Sequence, residues 1–90
     1  MESIREILND FIPLIEDNLN EEGKRIIREI RNLLDRADFR RNYYRLQLWN
    51  LIEELRASNP ELDDVISSLL NDIAKKWEHT LTKALNDGKI

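Results

Sequence analysis

DFRRNYYRLQLWNLIEELRA, residues 38–57, is the stretch on which the fold turns. At a helical period of about 100° per residue it carries two apolar faces. Tyr44, Leu48, Leu51, Ile52 and Leu55 fall together, while Phe39, Tyr43 and Leu46 lie nearly opposite, with Trp49 at the edge of that second group. A helix that is apolar on two sides needs cover on two sides. It runs through the middle of a small helical protein, or it keeps one face for a partner.

Upstream, Ile27, Ile30, Leu34 and Ala37 recur at alternating spacings of three and four, and the same register then meets Arg41, Tyr44, Leu48, Leu51 and Leu55. A single helix from Glu21 to Ala57 would be about 55 Å long at 1.5 Å per residue. A compact chain of this length has a radius of gyration of about 12 Å, so such a helix would overhang a monomeric core and imply a coiled-coil or swapped dimer. The alternative breaks the chain at Asp35-Arg36-Ala37-Asp38, with Asp38 as a new N-cap. It is preferred because the second apolar face begins at Phe39 and has no counterpart between Glu21 and Ala37.

Downstream, Ser58-Asn59-Pro60-Glu61 marks a turn and a helix start: Asn59 is placed to cap, Pro60 to occupy the first helical position, and Glu61, Asp63 and Asp64 load the first turn with negative charge. From there Leu62, Ile66, Leu69, Ile73, Trp77, Leu81 and Leu85 form one row, with Lys83 late in the helix and Gly88 as its stop. At the other end, Ser3 followed by Glu6 has a capping-box spacing, and Ile4, Leu8, Phe11, Ile12 and Ile15 recur at helical intervals. Pro13 lies inside that pattern and predicts a kink or restart, because an interior proline loses a hydrogen bond and clashes with the preceding turn. Asn20 then caps a helix opened by Glu21 and Glu22. The expectation is a single all-α domain over residues 1–90, a bundle of four or five helices at about 3–18, 21–36, 39–57 and 60–86.

Composition agrees with this reading. Only two glycines and two prolines are present, which disfavours a turn-rich β architecture. The absence of cysteine excludes disulfides, thiolate zinc sites and cysteine nucleophiles. No apolar run approaches a membrane span, and the N-terminus carries acids where a signal peptide carries bases, so a soluble, intracellular chain without a membrane role is expected, cytoplasmic if natural or expressed recombinantly. The net charge is −4 but uneven: residues 1–22 hold seven acids and one base, residues 23–45 eight bases and three acids, and residues 46–90 eight acids and five bases.

Chemistry is hard to assemble from these residues. His79 is the single histidine, off the apolar row of the last helix and flanked by Glu78, Lys75 and Lys83. A metal site needs three or four converging ligands, and catalysis needs a nucleophile or a carboxylate whose field is shaped by burial. Adjacent acids, as at Glu53 and Glu54 or Asp63 and Asp64, point about 100° apart on a helix and do not share a proton or metal. No glycine-rich phosphate loop or nucleophile elbow occurs. The expectation is a non-enzymatic protein with no cofactor.

The sharpest functional candidate is Phe39-Arg40-Arg41-Asn42-Tyr43-Tyr44-Arg45. Tyrosine and arginine are enriched at binding hot spots, and arginine beside aromatic rings also stacks on bases. The basic segment 24–45 therefore admits a nucleic-acid reading. The acidic total and the scatter of its arginines over several helix faces argue against it, with acids of the first and last helices expected to neutralise many of them. Phe39, Arg40, Tyr43, Leu46 and Trp49 are the candidates for protein contact or self-association; Trp49 and Trp77 also suit core packing.

No family motif is present. In size and helical content alone the chain is similar to death-fold adaptor domains, which have six short helices, and to bacterial immunity-type bundles. Capping residues, first-turn acids, late lysines, proline at a first helical position and a closing glycine agree with one another along the chain, as design rules would produce. Nine asparagines, Pro13 and Arg41 on the apolar row run the other way. The reading is a designed or engineered helical scaffold or protein-binding module; the alternatives are a natural acidic adaptor or inhibitor, and a nucleic-acid binder.

Overall fold

The computed structural model describes residues 3–87, with side chains from Ser3 to Trp77. Helix α1 spans Ile4–Ile15 and is followed by a 3-10 turn at Glu16–Asn18; α2 spans Glu21–Arg36, α3 spans Asn42–Ser58, and a second 3-10 turn at Pro60–Leu62 leads into α4, Asp63–Asp87. No strand occurs among the described residues. The chain is an all-α bundle, with a radius of gyration of 13.3 Å and extents of 42 × 24 × 22 Å.

The core is built from the apolar rows of all four helices. Ile4, Leu8, Ile12 and Ile15 of α1, Ile26, Ile27, Ile30, Leu33 and Leu34 of α2, Leu48, Ile52 and Leu55 of α3, and Ile66, Leu69, Leu70, Ile73 and Trp77 of α4 are buried together. Tyr44 and Leu51 of the first apolar face of α3 are half-buried against this cluster. The chain does break between α2 and α3. Ala37 is extended, Asp38 O accepts from Arg41 N at 3.0 Å, and α3 starts afresh at Asn42. The helix expected over 39–57 therefore begins three residues later. Asp38 does not cap it: its carboxylate accepts from Arg40 N at 3.1 Å, and Arg41 at the N-cap position makes no side-chain cap bond.

Two further expectations are corrected. Pro13 does not restart α1, which passes through it and ends at Ile15. Pro13 and Asn9 are both exposed, so the carbonyl that loses its amide partner faces solvent, where the loss costs least. At the α3–α4 junction, Pro60 opens a 3-10 turn, and Asn59 makes no side-chain cap bond to it. Its side chain turns inward instead. Oδ1 accepts from Asn20 N at 3.0 Å, and Nδ2 donates to Leu55 O at 3.3 Å and to Ser58 Oγ at 3.0 Å. Asn59 is the one fully buried polar residue of the described chain, and its hydrogen bonds tie the start of α2 to the end of α3. Asn20 completes the tie, accepting from Gly23 N at 2.8 Å as N-cap and donating to Ser58 O at 2.6 Å.

Candidate protein-contact surface

The α2–α3 turn is held by a stack of cations and rings. Phe39 precedes the first turn of α3, so helical register does not govern it, and it folds back onto Trp77 of α4 with ring centroids 6.0 Å apart. The Arg5 guanidinium covers Phe39 at 5.4 Å, and the Arg45 guanidinium covers Trp77 at 5.3 Å. Such contacts strengthen as they lose water. Both cations also secure backbone oxygens: Arg5 Nε donates to Leu34 O at 2.8 Å and Nη2 to Ala37 O, while Arg45 Nε donates to Phe39 O. Arg5 thus satisfies carbonyls at the negative end of the α2 dipole.

The five sequence candidates consequently separate. Phe39 and Trp49 are half-buried and packed on the core. Tyr43 is 64% exposed and Leu46 53% exposed, one helical turn apart on α3. Arg40 lies exposed at the entry to the same helix, its Nε on Asp38 Oδ1 at 2.9 Å and its Nη2 on Asp38 Oδ2 at 3.2 Å. The Arg40 side chain, then its backbone amide, holds the Asp38 carboxyl below the usual carboxylate range. The Tyr43 ring meets Tyr44 edge-on at 5.2 Å, and its hydroxyl accepts from Gln47 Nε2 at 3.1 Å. Tyr43 and Leu46 therefore stay exposed on α3, with Arg40 exposed in the turn before it, while Phe39 and Trp49 pack inward.

Several arginines of segment 24–45 are committed within the molecule. Arg25 pairs with Glu22 and, at 2.7 Å, with Glu29; Arg31 pairs with Glu16 at 2.7 Å. Among the described residues the partners differ in part from the expectation: Arg25 and Arg40 use acids of their own helix or turn, and Glu16 reaches across from the segment after α1. Hydrogen bonds from Arg31 and from Arg25 lower the Glu16 and Glu22 pKa values, respectively. Among the described residues no group of three or more His, Cys, Asp or Glu converges as a metal site would require. No described helix is long and apolar enough to cross a membrane. The side chains of His79, Leu81, Lys83 and Leu85, and all of Gly88, lie outside the described residues.

A second surface was not singled out in the sequence. An open groove of about 690 Å³ runs between α1 and α4, lined by Ile7, Phe11 and Leu14 on one side and by Val65 and Leu69 on the other. Leu14 is 73% exposed and Val65 44%. The spacing of Ile7, Phe11 and Leu14 was legible as a second stripe on α1, displaced from the Ile4, Leu8, Ile12 and Ile15 row. Comparison of the chain with protein-family models, with curated proteins and with solved structures finds no match.

Proposed function

We propose that the chain is a non-enzymatic helical protein-binding module whose contact surface is the strip formed by Arg40, Tyr43 and Leu46. The observation that carries this reading is the exposure of Tyr43 and Leu46, while the other large apolar residues of α3 pack on the core. Tyrosine and arginine combine apolar area with directional hydrogen bonding, which suits them to the centre of an interface. Arg41 is exposed beside Arg40, whose guanidinium is already on Asp38, so the partner surface is one with an acidic group at the helix entry beside an apolar patch. A photo-crosslinking residue at Tyr43, set against the same residue at exposed Glu21, tests this in a lysate with candidate partners. A distinct adduct from position 43 that disappears with Leu46→Glu is expected; equal labelling from both positions contradicts the reading.

The mutual agreement of caps, first-turn acids and late lysines supports a designed or engineered origin. A natural adaptor or inhibitor is the second reading, favoured by Pro13 inside α1, an α3 without a side-chain cap, and a buried asparagine junction. Idealised designs are typically hyperstable. A thermal midpoint above about 90 °C supports design, and one within about 45–65 °C supports the natural reading.

A further inference from the structure

We propose that the groove between α1 and α4 is a self-association face, filled by the same groove of a second copy running antiparallel to it. Helices α1 and α4 run in opposite directions. The segment after α1 reaches Asn59, just before α4, through Asn20, while Arg5 at the start of α1 covers Phe39, which stacks on Trp77 far along α4. Leu14 therefore lies at the Asp64 and Val65 end of the groove, and Ile7 at the end bearing Lys75 and Lys76. The groove is apolar along its floor, acidic at the Asp64 end and net basic at the other, where Lys75 and Lys76 outnumber Asp72, with Asp10 near the middle.

That polarity selects the geometry. Two grooves packed face to face are related by a two-fold axis lying either along the groove or across it. An axis along it sets acidic end on acidic end and basic on basic. An axis across it reverses the second copy, so that Asp64 meets the second copy's Lys76 and Ser68 meets its Asp72, with the serine hydroxyl as donor to the carboxylate. Leu14 of each copy then enters the Ile7 end of the other. The pairing brings the two Asp10 carboxylates near the axis, since Asp10 lies midway between Ile7 and Leu14, so relieving that repulsion tightens the dimer.

The size of the face sets the strength. Helix α1 is about 18 Å long, and two helices side by side are about 20 Å wide, giving about 360 Å² of flat area per copy. The pair covers about 700 Å² before side-chain relief, against about 1,600 Å² for a standard interface. The association is accordingly weak and concentration-dependent.

Sedimentation equilibrium of the full chain from about 10 µM to about 1 mM, with circular dichroism as a control for folding, reads the outcome. The expected result is a monomer–dimer equilibrium that Leu14→Glu and Lys76→Glu each weaken at least about tenfold, that Asp10→Asn strengthens, and that the double variant Asp64→Lys/Lys76→Glu restores. All four side chains are exposed, so the helical spectrum is retained. A monomer at every concentration overturns the proposal. So does a dimer that Leu14→Glu leaves intact, one that Leu46→Glu abolishes, or one that the double variant fails to restore.

Discussion

Gly23→Ala sets two effects of opposite sign against each other. Gly23 lies in the first turn of α2, where alanine gains up to about 1 kcal/mol over glycine in helix propensity. A Cβ there, however, would sit 2.6 Å from Asn59 Nδ2, 3.0 Å from Leu19 Cδ2 and 3.1 Å from Leu19 Cβ. Asn59 is fully buried and its amide is committed to Leu55 O and Ser58 Oγ, so it moves aside only by breaking those bonds. Overpacking costs about 1–3 kcal/mol, and a disturbed hydrogen bond adds about 1 kcal/mol. The net expectation is a loss of about 2 kcal/mol. For a domain of this size that is a fall of about 8–16 °C in thermal midpoint, or of about 1–2 M in urea midpoint, followed by circular dichroism. In an Asn59→Ala background the closest contact is gone, and the same substitution becomes nearly neutral, giving a coupling of about 1–2 kcal/mol. Stabilisation by Gly23→Ala in the parent chain would refute the account of this junction.

Three other outcomes follow from the same geometry. Arg5→Met removes the donors to Leu34 O and Ala37 O while keeping an apolar stem over Phe39, and is expected to cost about 1–2 kcal/mol by urea titration; an unchanged midpoint contradicts the capping role. Pro13→Ala restores the amide that Asn9 O lacks, and stabilises by about 1 kcal/mol once the greater freedom of the unfolded chain is subtracted. Destabilisation would show that the proline ring itself packs. Glu16 has its pKa lowered by the Arg31 hydrogen bond, so its contribution is fully present above the unfolded value of about 4.3 and is lost as the pH falls through the folded value. NMR titration should place the Glu16 midpoint below about 4.3 and return it towards that value in Arg31→Gln; an identical midpoint in both chains contradicts the pair.

Helix placement was readable wherever apolar spacing and caps agreed. Asn20 opens α2 where expected, Ser3 accepts from Glu6 N at 3.2 Å to open α1, and the rows Ile27, Ile30, Leu34 and Ile66, Leu69, Ile73 are core. The start of α3 was less legible, because apolar residues at helical spacing extend back to Phe39 and only tertiary packing on Trp77 takes that ring out of the helix. The role of Asn59 was hidden for a related reason. A cap and a buried crosslink use the same residue type, and the partner that distinguishes them, Asn20, lies 39 positions away. The same holds for Arg5 and Arg45, whose charges read as surface until their carbonyl and aromatic partners are assembled. Of the candidate surface, Arg40, Tyr43 and Leu46 are exposed, whereas Phe39 and Trp49 are half-buried against the core.

Everything described depends on the chain turning back between Ala37 and Arg41 instead of continuing as one helix. The chain has no native cysteine, so spin labels can be placed at Glu29→Cys and Glu54→Cys, whose parent residues line one cleft between α2 and α3. Pulsed electron–electron dipolar spectroscopy on that pair is the most direct test. Helices packed at 8–10 Å place the labels about 10–20 Å apart, whereas a continuous helix through residues 21–57 would hold them about 38 Å apart, and that longer distance would contradict the fold and the surfaces built on it.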